Sequence, residues 1–286
     1  MGSYGELIRE IRLSKGLTQK EVYTGIISRS YAIGFEKGKH EITLSLFEEI
    51  LKRIMVPLDE FFFIYRNFSS TEDDSFWIDF VELSGKNDVV GMQTLLDKIT
   101  LERTEQTEVR KAILHTRIQT INHYLRTNVF DESNISDEYK KIIHDYLWKM
   151  QTWTLEEIRI FANSISFFEE EVQIHFYQIM LKSYEKYRYY DRGRLMYCHL
   201  FAGMIDELII QNKLEAAKQV WEKLKEASET NSSYNTAFYR IVCNYYQALI
   251  WMKEGEVEKG YRQAKRALQT WRELHYETIA DLYFLL

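Results

Sequence analysis

The chain has 286 residues, enough for two domains with cores of their own, but one proline, Pro57, and only 12 glycines. So few turn formers exclude a protein built on sheets, and the fold class expected is all-α. The net charge of −6 is uneven: residues 1–40 carry seven Lys/Arg against four Asp/Glu, while the rest is acidic, so only the amino end suits a polyanion.

Two cysteines, Cys198 and Cys243, are too few for a disulfide framework or a cysteine-rich zinc site. They are expected as buried thiols in a reducing compartment. No signal segment precedes the first amphipathic stretch, and no apolar run approaches the ~18 residues of a membrane span, so a cytoplasmic location is expected. The seven histidines are scattered without metal spacing, and no glycine-rich phosphate loop follows a strand. His199 beside Cys198 makes no dyad, because adjacent helical residues point apart. Neither a cofactor, a metal nor catalysis is expected.

In chain order, Leu7 and Ile11 mark the buried stripe of a first helix, with Arg9, Arg12 and Lys15 off it and Gly16 as a left-handed stop. Thr18 and Glu21 form a capping box, which puts Gln19 and Lys20 at a helix N-terminus whose amides favour phosphate. After a turn near Gly25, Ser28 caps a third helix running from Arg29 to Lys37. Ala32 and Phe35 face inward; Arg29, Ser30, Ile33 and Lys37 share the other face with Gly34 beside them. Gly38 ends it, a fourth helix opens at Thr43, and "PLDEFF" starts a fifth. Two short helices joined by a tight turn suit the major groove of DNA, where Arg can bond guanine bidentately and Ser reads either partner. Phosphate contacts are expected from Arg9, Arg12, Lys15, Gln19 and Lys37, and the DNA-binding set also takes in Lys20, Ser28 and Tyr31.

The segment "LIREIRLSKGLTQKEV…SRSYAIGFEKGKHEITLSLFEEILKRIMVPLDEFF" resembles the lambda-repressor-like helix-turn-helix domain, with "GLTQ", "S-R-S", "E-K-G-K" and "V-P-L-D-E-F" as its hallmarks. One departure stands out: Gly34 lies where such domains often place a long base-reading side chain. That leaves the groove to Arg29 and Ser30, with Ile33 on a thymine methyl and some readout through DNA shape.

The polar, acidic stretch 67–75 reads as a linker between a DNA-binding domain, 1–66, and a second domain, 76–286. Beyond it, "NDVVGMQTLLDKI" (87–99) matches "NKLEAAKQVWEKL" (212–224) at an offset of 125 residues, and "GEVEKGYRQAKRAL" (255–268) repeats the opening another 43 on. This is a degenerate tetratricopeptide-like repeat, five helix pairs between 74 and 274, closed by "ETIADLYFLL". Small residues, Gly91, Ala216, Ala217, Gly260 and Ala264, let neighbouring helices approach. Such pairs stack into a right-handed α-superhelix whose concave face is lined by the first helix of each pair, here 107–126, 154–167, 191–211 and 234–252. Polar side chains in those segments, Asn122, Arg159, Asn163, His199 and Asn244, with Tyr197, Tyr239 and Tyr245, are the expected contacts for an extended peptide.

With that head and body, and with "YLWKMQTWTLEEIRIFANSISFF" (146–168), the chain resembles the Rgg/GadR/MutR family of regulators. The resemblance implies a homodimeric, DNA-binding transcription regulator that binds a palindromic operator and whose repeat domain receives a short hydrophobic pheromone peptide. Dimer contacts are expected at the C-terminal repeats, where "LYFLL" wants covering. A peptide-independent regulator, its repeats docking RNA polymerase or another protein, is the alternative, and an adaptor with a vestigial head a third reading.

Overall fold

The computed structural model describes residues 2–99, 104–129, 134–230, 234–277 and 280–281, with Glu72 as backbone only. It divides into two compact units, residues 1–86 and 87–286.

The first unit opens with five short helices: α1 (Tyr4–Ser14), α2 (Gln19–Tyr23), α3 (Arg29–Phe35), α4 (Leu44–Ile54) and α5 (Leu58–Tyr65). Their ends are written in local chemistry. Thr18 and Glu21 form the expected capping box on α2, and Ser3 with Glu6 forms a second on α1. Ser28 caps α3 by accepting from the Tyr31 amide, and Gly16 (φ +68°) and Gly38 (φ +69°) supply left-handed stops. Ile8, Val22, Ala32, Phe35, Ile50, Leu51, Ile54 and Phe61 form one core. Each large aliphatic or aromatic member contributes about 1.5–3 kcal/mol through burial. Helix α6 (Glu72–Gly85), with Phe76, Trp77 and Phe80 buried, groups with this unit. The compact boundary therefore follows Lys86 rather than falling in the acidic stretch 67–75.

The second unit holds α7 (Val89–Ile99), α8 (Glu105–Thr127), α9 (Asp137–Trp148), α10 (Leu155–Ala162), α11 (Glu170–Tyr187), α12 (Asp191–Ile210), α13 (Leu214–Glu229), α14 (Ala237–Lys253) and α15 (Val257–Glu273). The internally similar segments are α7, α13 and α15, and each begins two residues after a left-handed residue: Asn87 (φ 52°), Asn212 (φ 58°) and Gly255 (φ 95°). Asn and Gly tolerate that conformation, so the repeat is a turn device as well as a hydrophobic pattern. Small residues work as expected at Gly260, where a Cβ would stand 2.4 Å from Met252 Cγ and 2.5 Å from the Ala248 carbonyl, and at the fully buried Ala217.

Helix α12 packs on α10, α11, α13 and α14, while α14 packs on α13 and α15. The first helices α10, α12 and α14 thus adjoin directly, and α11, α13 and α15 pack against α12 and α14. Ala280 and Asp281 are helical, but positions 278–279 and 282–286 of the expected closing helix, including the "LYFLL" proposed for dimer contact, lie outside the described residues.

Candidate nucleic-acid interface and ligand groove

Helix α3 is held at its end. A Cβ on Gly5 would fall 1.8 Å from the Phe35 carbonyl oxygen, so α1 and α3 touch backbone to backbone there. Next to that contact Glu36, 3% exposed, accepts from Arg12 Nε (2.6 Å) and Nη2 (2.9 Å), Gln19 Nε2 (2.7 Å) and the Tyr23 hydroxyl (2.8 Å). Arg12 Nη1 also donates to the Leu17 carbonyl at 2.7 Å. One carboxylate thereby ties α1, α2 and α3 together. Burial alone would raise the Glu36 pKa, but the hydrogen bonds from Arg12, Gln19 and Tyr23 outweigh it and hold the carboxyl below its ordinary value. Burial, with the bond to Glu36, pushes the Tyr23 phenol up, so it stays a donor.

Three of the residues expected at phosphates have protein partners of their own. Arg12 is buried and spent on Glu36. Lys15 Nζ is drawn to the C-terminus of α4, donating to the Ile54 carbonyl at 2.7 Å and to that of Met55. The Gln19 amide is held by Glu36. Arg9, Lys20, Ser28, Arg29, Ser30, Tyr31, Ile33 and Lys37 are exposed. On α3, Ala32, Phe35 and Glu36 point inward, so the outward face runs through Arg29, Ser30, Ile33 and Lys37. Beside it, Thr18, Lys20, Thr24 and Arg29 rim a cleft of about 440 Å³ between α2 and α3.

In the second unit, the solvent-facing stripe of α12 runs through Leu195, His199, Gly203 and Asp206, and that of α14 through Arg240, Asn244 and Gln247. On α10 the half-buried Arg159 lies 3.7 Å from Glu156, which also pairs with Arg110 of α8 at 2.7 Å. Asn163 donates to the Arg159 carbonyl at 2.8 Å, and Asn122 is exposed on α8. His199 keeps solvent contact yet is surrounded by protein, and that enclosure lowers its imidazole pKa. Asp206 behaves likewise: burial pushes its carboxyl up to about 6, a hydrogen bond from Tyr246 of α14 opposes this, and the neighbouring Glu207 adds to it.

Two expected groove residues are instead core. Tyr197 is fully buried against Tyr184 and Phe201, its hydroxyl directed at the Met180 carbonyl, and Tyr245 is 2% exposed beside Trp271. Both lie off the exposed stripe of their helix. Tyr239 is half-buried against Phe238. Asp206, not among the expected residues, follows His199 by seven positions and so shares its face.

Residues 93–284 match the family model for the C-terminal domain of the HTH-type transcriptional regulator Rgg, and residues 8–61 match a helix-turn-helix model. The chain belongs to the Rgg family of transcriptional regulators. Consistent with this, it is similar to a crystal structure from Listeria monocytogenes EGD-e described as a transcriptional regulator, with 88% identity, TM-score 0.93, and coverage of 99% of this chain and 95% of that one. The fold is shared more distantly with the Streptococcus dysgalactiae SHP pheromone receptor Rgg2 (18% identity, TM-score 0.77, 98% and 97% covered) and with PrgX in its complex with cCF10 (16%, 0.73, 98% and 97%). Members of the family are DNA-binding regulators rather than enzymes. Among the described residues, no helix is long and apolar enough to cross a membrane and no cluster of His, Cys, Asp or Glu could hold a metal.

Proposed function

We propose that this regulator reads its operator with the outward face of α3 and answers to a short hydrophobic peptide bound along α8, α10, α12 and α14. The observation that carries the peptide reading is the row of polar groups on adjoining first helices: the half-buried Arg159 and Asn163, then the enclosed His199 and Asp206, then the exposed Asn244. Amide side chains can bond both the N–H and the C=O of an extended backbone, and the apolar Leu195 lies in the same row. Two relatives of the same fold are named as a pheromone receptor and as a complex with cCF10, which supports the assignment of ligand class. The protein acts as a homodimer on a palindromic operator, one α3 per half-site about 34 Å apart. Peptide shifts the equilibrium between DNA-competent and incompetent states by binding one of them better. Its place of action is the cytoplasm.

The test is a titration of short apolar peptides monitored by tryptophan fluorescence, alongside mass analysis of peptides co-purified from native cytoplasm. Saturable binding that weakens about tenfold or more in His199→Ala or Asn244→Ala supports the reading. Absence of any peptide binding with DNA affinity intact favours the second reading, a regulator whose repeats dock RNA polymerase or another protein. One observation favours that alternative: an apolar cleft of about 440 Å³ between α11 and α13, where Ile174 lies 53% exposed.

A further inference from the structure

Gly34 lies in the middle of the outward face of α3, between Ser30 and Lys37 in helical projection, yet it is buried. What covers it is His40, from the loop that follows the helix. A Cβ on Gly34 would fall 2.1 Å from His40 Cδ2 and 2.3 Å from Nε2, so the imidazole lies directly on the helix backbone where a side chain would otherwise emerge. The ring is further fixed by stacking on Tyr31, centroids 4.7 Å apart and 23° between planes. Tyr31 is itself anchored, its hydroxyl donating to the Glu41 carbonyl at 2.7 Å. Despite these contacts His40 remains exposed.

We infer that His40 is a base-reading residue of the DNA interface, delivered from the loop into the position that Gly34 leaves empty. With its Cδ2–Nε2 edge against Gly34, the ring leaves Nδ1 on offer, and an N–H there can donate to the purine N7 or guanine O6 acceptor of the major groove. Glycine at 34 is then the condition for reading by His40, since any Cβ there would displace the ring. The Tyr31 stack and the Tyr31–Glu41 bond hold the ring in place before DNA arrives, so little side-chain freedom is lost on binding. The inference rests on α3 being the reading helix.

The experiment uses the full-length protein and selection from a randomised duplex pool, with affinities then measured on the winning sequences and on unrelated duplex. His40→Ala is expected to lose about tenfold discrimination at one or two base pairs while affinity for unrelated duplex and the melting temperature stay at parental values. Gly34→Ala, which keeps the histidine but expels it, is expected to lose preference at the same base pairs, and His40→Gln to restore part of it. Arg29→Ala serves as the control for the face itself. If His40→Ala selects the parental sequence with parental discrimination while Arg29→Ala does not, His40 is no reader. If neither variant changes the selected sequence, the assignment of α3 as reading helix fails as well.

Discussion

The Glu36 carboxylate of the first unit receives hydrogen bonds from Arg12, Gln19 and Tyr23, whereas the Asp206 carboxylate of the second unit, also drawn away from water, has the Tyr246 hydroxyl and no cation among the described residues. The first falls below the ordinary carboxylate range and the second rises to about 6. One is a structural clamp that fixes helix α3, the proposed reading helix. The other is a carboxylate without a cation, the state expected of a group kept for a ligand if the proposed function holds. The contrast separates charge that holds the fold from charge that is on offer.

Removing the clamp gives the largest expected effect. Arg12→Ala leaves Glu36 buried without its cation and is expected to destabilise the first unit by about 3–5 kcal/mol, read as an earlier transition in urea unfolding. DNA binding falls because α3 is no longer held, and a destabilisation below about 1 kcal/mol would return Arg12 to the phosphate-binding set. The clamp is also acid-sensitive: a depressed carboxyl stabilises above its unfolded pKa, and that stability is lost as pH falls through the lower folded value.

Asp206→Asn is expected to act in the opposite direction. A carboxyl raised to about 6 in the folded state binds a proton that the unfolded chain has already released, so folding is penalised increasingly as pH rises from 4 to 6 and fully above it. The variant, which keeps the Tyr246 contact, is expected to gain up to about 3 kcal/mol at pH 7.5 and nothing at pH 3.5. A gain independent of pH would mean that the charge is not what costs stability.

Gly260→Ala tests the packing of the repeats. The added methyl meets the backbone of α14 as well as the Met252 side chain, and a net loss of about 1–3 kcal/mol is expected in thermal unfolding despite the better helix propensity of alanine. Smaller in free energy is Arg29→Ala, expected to relax preference at one base pair by about 1–2 kcal/mol while leaving the unfolding curve unchanged.

Most of the fold is legible in residue order. Thr18 with Glu21, Ser28, Gly16 and Gly38 set helix ends through contacts within four residues, which a sequence displays directly. The repeat is legible because its left-handed turn residues, Asn87, Asn212 and Gly255, precede a recurring small-residue pattern. What escapes is partnership across the chain. Arg12 and Lys15 look like free surface cations until Glu36, 24 residues on, and the α4 carbonyls, 39 and 40 residues on, are placed beside them. Tyr197 and Tyr245 depart from expectation for another reason: a phenol suits a groove or a core equally, and the helical phase of its exposed neighbours, such as His199 and Asn244, decides between them.

The claim on which the rest depends is that α3 faces DNA through Ser30, and photocrosslinking tests it most directly. A benzophenone side chain in place of Ser30 is expected to crosslink to the bases of a selected duplex on irradiation, while the same group in place of the exposed Phe63 on α5 is expected to give none. Crosslinks from the Phe63 position with none from Ser30 would contradict the account.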